Sequence, residues 1–158
     1  MISSDDADSP EKRLATEERP VDPLFEADEP LYRRVQPSLV QKGIVSPLAF
    51  RFDRQSVNRG KFSIPSDVLH KNCCDDRDFS DWKVVKILVK ELPHSLTGGT
   101  GQTYNFPVRH TPTRSCYPHS EIWCNKTGNA DDPYESPSKK IRTEFCAHLA
   151  QTASVISQ

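Results

Sequence analysis

The chain has 158 residues, a formal net charge of −1 and a hydrophobic fraction of 35%, below the roughly 45–50% apolar usage of an ordinary globular domain. That length fits one domain, and the low apolar share predicts that part of the chain stays outside the core. No apolar run nears the roughly 18 residues of a spanning helix, the opening Met1-Ile2-Ser3-Ser4-Asp5-Asp6 lacks the pattern of a secretory signal, and no period recurs.

Charge is unevenly placed. Residues 1–30 hold ten acidic residues against three basic ones, with Pro10, Pro20, Pro23 and Pro30 among them. Such a stretch reads as a disordered acidic tail, because it offers too little apolar surface to offset its ordering entropy. Residues 31–62 reverse the sign, with Arg33, Arg34, Lys42, Arg51, Arg54, Arg59 and Lys61 opposed by Asp53 alone. One reading lays the tail over this basic block, which keeps both soluble. In the other, the seven cations form a contact surface for phosphates or an acidic partner. The interleaved Tyr32, Phe50, Phe52 and Phe62 suit base stacking, although Phe50 and Phe52 also suit the core of a strand.

In chain order, Leu31–Val35 alternates as a short strand, and Pro37–Gly43 predicts a helical turn closed by a left-handed Gly43. Leu48–Asp53 is a second strand, Asn58-Arg59-Gly60 a turn, and Lys61–Ile64 a third strand. Pro65–His70 has the form of a short helix capped by Ser66. Trp82–Leu92 is the clearest strand, with Val85, Ile87 and Val89 on one face. Gly98–Gly101 reads as a hairpin connection, because it matches neither glycine-rich phosphate motif. Pro107 within Tyr104–His110 marks an edge strand or a bulge, and Ser120–Asn125 is a further strand. A closing helix starts at Ser136 and Pro137 and carries Ile141, Phe145, Leu149 and Ile156 at helical spacing. Together these predict a single α+β domain over residues 31–158, with a small, mostly antiparallel sheet and an amphipathic C-terminal helix packed on it.

The five cysteines are Cys73, Cys74, Cys116, Cys124 and Cys146. An odd count with one vicinal pair reads as free thiols in a reducing cytoplasm, so a cytoplasmic location is expected. His70-x-x-Cys73 and Cys116-x-x-His119 are two ligand-like pairs for zinc, with Cys124, Cys146 and His148 in reserve. Forty-two residues lie between Cys73 and Cys116, farther apart than in short zinc modules, so no metal and no cofactor are expected. For catalysis, strand periodicity puts His119 and Glu121 on one face. His119 and His110 would act as acid and base, with Glu121 assisting and Arg109 or Arg114 stabilising the developing charge, as in metal-independent RNA cleavage.

Leu31-Tyr32-Arg33-Arg34-Val35, Ser46-Pro47-Leu48-Ala49-Phe50, Lys61-Phe62-Ser63 and Tyr117-Pro118-His119-Ser120-Glu121-Ile122 resemble elements of a group of small uncharacterised bacterial proteins. The resemblance spans roughly residues 31–150 and implies a bacterial origin and a domain start near Leu31, but no activity. The chain departs from that pattern in the insertion around Cys73–Asp81 and in its acidic leader.

The resulting expectation is a non-catalytic accessory protein of a multi-component bacterial system, which would bind a protein or nucleic-acid partner through the basic block and no membrane. The alternatives are a small nuclease or toxin-like hydrolase and a zinc-stabilised binding module.

Overall fold

The computed structural model describes residues 9–50, 54–74, 77 and 79–156. Its centre is an antiparallel sheet of six strands in the order β10-β5-β1-β4-β9-β8. The ranges are β1 Pro30–Val35, β4 Gln55–Arg59, β5 Lys83–Leu88, β8 Val108–His110, β9 His119–Ile122 and β10 Ser154–Ile156. Two small hairpins flank it, β2 Val40–Gln41 with β3 Ile44–Val45, and β6 Ser95–Thr97 with β7 Thr103–Asn105. Among the described residues the α-helices are α1, Pro10–Leu14, and α2, Lys139–Thr152. The architecture is α+β with a C-terminal helix, as the sequence pattern predicts.

Strand periodicity sorts the sheet into two faces. Leu31, Val35, Val57, Val85, Ile87 and Ile122 point to one and meet Ile141, Phe145 and Leu149 of α2 in the main core. Phe106 and Phe145 stack there at 4.6 Å between ring centroids. Helix α2 begins two residues later than predicted, because Ser138 rather than Ser136 takes the cap, accepting the Ile141 N–H at 3.4 Å. Ile156 belongs to β10 rather than to the helix. The other face carries Tyr32 and Val84, which pack with Val68, Leu69 and Trp82 in a smaller cluster.

Several elements differ locally from the sequence reading. Pro37–Leu39 is a single 3-10 turn, and Lys42 and Gly43 form the two-residue turn of the β2–β3 hairpin, both with positive φ. Residues 47–49 are a 3-10 turn where Leu48–Asp53 predicts a strand, and 51–53 lie outside the described residues, with Arg51 and Phe52 among them. Asn58 and Arg59 are strand, and the turn starts at Gly60, where any Cβ would collide with the Pro30 ring and lie 2.9 Å from its carbonyl oxygen.

The acidic leader is corrected in part. Residues 1–8 lie outside the described residues, whereas 9–29 pack against the sheet and the loop before β9. Leu14 is fully buried, and its carbonyl accepts the Tyr117 N–H at 2.7 Å. Arg13 forks onto Asp67 at 2.6 and 2.9 Å. The Tyr117 hydroxyl donates to Pro20 O, and the Arg19 guanidinium lies 3.7 Å from the Tyr117 ring centre. The composition argument misses this because one leucine and a few directed polar contacts anchor the segment without a continuous apolar face.

The cysteine expectation is corrected as well. Cys73 and Cys116 form a disulfide, while Cys74, Cys124 and Cys146 are buried thiols. Closing a loop of this sequence separation, 43, stabilises the fold by about 4 kcal/mol on the chain-entropy scale. Spacing along the chain does not reveal the bond, which exists because the 111–118 loop returns over the 71–73 turn.

Candidate functional site, a cationic cavity where two strands part

The β1–β4 ladder holds only two pairs, Leu31 with Arg59 and Tyr32 with Asn58. Beyond them the strands separate, and Arg33 and Arg34 no longer pair with Val57 and Ser56. Arg33 occupies part of the gap, with Nε donating to Ala49 O at 3.1 Å and Nη1 to Ser56 O at 2.8 Å. A carbonyl that a ladder would have used is thereby satisfied by a guanidinium.

A cavity of about 330 Å³ opens at this split. The strands contribute Arg33, Arg34, Ser56 and Asn58, the 71–73 turn adds Lys71 and Asn72, and the 113–119 stretch adds Arg114, Ser115 and His119. No acidic side chain lines it among the described residues; Asp75, Asp76 and Asp78 lie outside them. Arg34 is steered by Nη1 donation to Cys73 O at 3.2 Å and by the Phe79 ring 4.7 Å from its guanidinium carbon. Arg114 is exposed and makes no ion pair or side-chain hydrogen bond among the described residues. His119 Nδ1 donates to Thr111 O at 2.7 Å, which fixes the tautomer and leaves Nε2 without a partner among the described residues. The disulfide closes one side, joining the turn that carries Lys71 to the loop that carries Arg114. Ser115 Oγ, donating to Asn72 O at 2.9 Å, adds a second tie.

Arg51 lies outside the described residues, and the other expected binding cations lie elsewhere. Arg59 is fully buried, forks onto Glu29 at 2.8 Å through two bonds, and donates to Asp22 O and Leu24 O. Lys61 pairs with Asp22 at 2.7 Å, and this bond, with the Leu24 N–H, holds the Asp22 carboxyl below the usual range. Lys42 is an exposed turn residue, and the Arg54 guanidinium sits over Trp123. The basic block as a continuous surface is therefore corrected, since the leader neutralises one end of it. Of the expected stacking aromatics, Phe52 lies outside the described residues and the other three do not line the cavity. Tyr32 and Phe50 are buried, and Phe62 packs on His110 and Tyr117.

The expected acid–base pair is not brought together. Cross-strand register puts His110 on the face of Ser120, and His119 on the opposite face with Asn58. His110 is buried, with Nε2 donating to Tyr117 O at 2.6 Å and Nδ1 accepting the Asp22 N–H at 2.9 Å. Burial lowers its pKa, so it is a neutral hook for the leader. Glu121 stands opposite Arg109 in the β8–β9 ladder, and the Arg109 guanidinium lies over Trp123. The zinc candidates are corrected in the same way: Cys73 and Cys116 do meet, but as a disulfide. His70 faces Glu11 at 3.4 Å, and no group of three potential ligands occurs among the described residues.

Sequence reading found Arg33, Arg34 and His119, named Arg114 only as an alternative to Arg109 in a catalytic role, and missed Lys71, whose place beside Arg114 is signalled only by the Cys73–Cys116 contact. Burial raises the thiols of Cys124 and Cys146, to about 12 and about 11, which makes both inert. No described helix is long and apolar enough to cross a membrane. Comparisons with protein families, with curated proteins and with solved structures find no match.

Proposed function

We propose that the protein is a binding module that accepts a phosphate-bearing group of its partner in the cationic cavity. The observation that carries this reading is the convergence of Arg34, Lys71 and Arg114 on one concave site, with no carboxylate among its described lining. Like charges repel, so such a grouping favours an anion that neutralises it, and guanidinium forks match phosphate geometry. A volume of about 330 Å³ is at the small end of ligand sites, which suits a compact phosphate ester or a terminal phosphate. The absence of an aromatic platform within the described lining argues for capture of the anionic group rather than stacking on bases.

Calorimetric titration of the full chain with inorganic pyrophosphate at low and high salt tests the proposal. Saturable binding that weakens with salt, and about tenfold weaker binding by Arg114→Ala, is the expected result, since a bond to a charged group contributes about 1.5–3 kcal/mol. No binding at low salt overturns it, and preference for an acidic peptide over pyrophosphate reassigns the site to a carboxylate-rich protein.

A further inference from the structure

We propose that the Cys73–Cys116 disulfide gates the cavity, so that anion binding is switched off by reduction. This rests on the anion-binding reading and adds regulation to it. The bond lies in the cavity wall itself, because Cys73 is one of its lining residues. It joins the two loop segments that bring the non-strand cations. On one side, Lys71 and Asn72 sit in the turn that ends at Cys73. On the other, Arg114 and Ser115 sit inside a tight turn closed by the Thr113 N–H donating to Cys116 O at 3.2 Å.

The strand cation is coupled to the same bond, since Arg34 is oriented by donating to the Cys73 carbonyl. Asn58, at the point where the ladder ends, places its side-chain amide against both sulfurs, with Nδ2 3.5 Å from Cys73 Sγ and Oδ1 3.4 Å from Cys116 Sγ. Beyond the disulfide, the Ser115–Asn72 bond is an exposed hydrogen bond, and bonds of that kind contribute little in water. Once the covalent tie is gone, mutual repulsion of Lys71, Arg34 and Arg114 acts to spread the walls. The main core on the opposite face of the sheet, under α2, contains neither cysteine, so the fold persists while the cavity opens.

Chemically, a dithiol gives two electrons and two protons to the Cys73–Cys116 bond. The S–S bond breaks, both residues become thiols, and the dithiol closes to its own disulfide. The thiol poise of the compartment then sets whether the cavity is assembled.

The test titrates pyrophosphate into the oxidised full chain, into the chain reduced with dithiothreitol, and into the reoxidised chain. Circular dichroism follows each form, and alkylation with a mass readout confirms that Cys73 and Cys116 are the newly exposed thiols. The expected result is at least tenfold weaker binding on reduction, recovery on reoxidation, and an unchanged spectrum. The Cys73→Ser/Cys116→Ser double variant should bind as weakly as the reduced chain whether or not reductant is present. Equal binding by the oxidised and reduced chains overturns the gate alone, as does loss of the folded spectrum on reduction, which makes the bond a staple of the whole fold. Silence from the oxidised chain overturns the anion-binding reading beneath it.

Discussion

At one end of the β1–β4 pair, Arg59 is sealed from water and matched to the Glu29 carboxylate and two backbone carbonyls. At the other end, a few residues along the same strands, Arg34 faces a cavity with Lys71 and Arg114 and no described carboxylate. Both ends are arginine-rich in sequence, yet one is neutralised inside the fold and the other faces a cavity with no carboxylate among its described lining. Charge count along a chain therefore reports where cations are made. It does not report which of them the fold neutralises, and that depends on where the leader lies.

The sealed end should be the more costly to disturb. Arg59→Met leaves Glu29 buried without its partner and is expected to cost about 3–5 kcal/mol, read by urea denaturation. Adding Glu29→Gln should recover much of that loss, and a single variant near wild-type stability would contradict the sealed pairing. The leader itself is probed by Leu14→Ala, expected to lose about 2–5 kcal/mol as a core truncation. An unstructured leader would show no change in this measurement.

The open end behaves in the opposite sense. Arg114→Ala should leave stability within about 0.5 kcal/mol, as exposed substitutions do, while weakening pyrophosphate binding. A large loss of stability would mean that Arg114 belongs to the structural class with Arg59.

What the sequence showed well was the alternating or helical apolar pattern. Val85, Ile87, Ile122, Cys124, Ile141, Phe145 and Leu149 all reach the core, because periodicity follows from local geometry. Pro107 was legible as an interruption, since a missing N–H is a local property, but the single run over Tyr104–His110 divides there into β7 and the edge strand β8, which belong to different sheets. The leader was not, because its packing depends on His110, Tyr117 and Arg59, which come much later in the chain. Arg33, Arg34 and His119 were visible as candidates, and Arg114 only in a catalytic role. Lys71 was not, and its meeting with Arg114 is set by a bond between distant loops that spacing cannot specify.

His110 gives a subtler comparison with His119. Its folded pKa is lowered by burial from the ordinary 6.5, so the unfolded chain binds a proton first as pH falls. Its contribution to stability is therefore full above about pH 6.5 and is lost as pH drops below that value toward the folded pKa. In an NMR titration the His110 midpoint should lie below 6.5, and an ordinary midpoint would remove it as the neutral anchor of the leader. The smallest expected effect concerns the buried thiols. Iodoacetamide at mildly alkaline pH should leave Cys124 and Cys146 unlabelled in the native protein and label both after denaturation, as read by peptide mass.

The most direct measurement is a backbone amide NMR titration of the oxidised, isotope-labelled chain with pyrophosphate. Shifts should concentrate at Arg33 and Arg34, Ser56–Asn58, Lys71–Cys73, Thr113–Ser115 and His119. Shifts gathered instead around Lys42, Arg54 and Lys61, or spread evenly over the surface, would contradict a ligand seated where the two strands part.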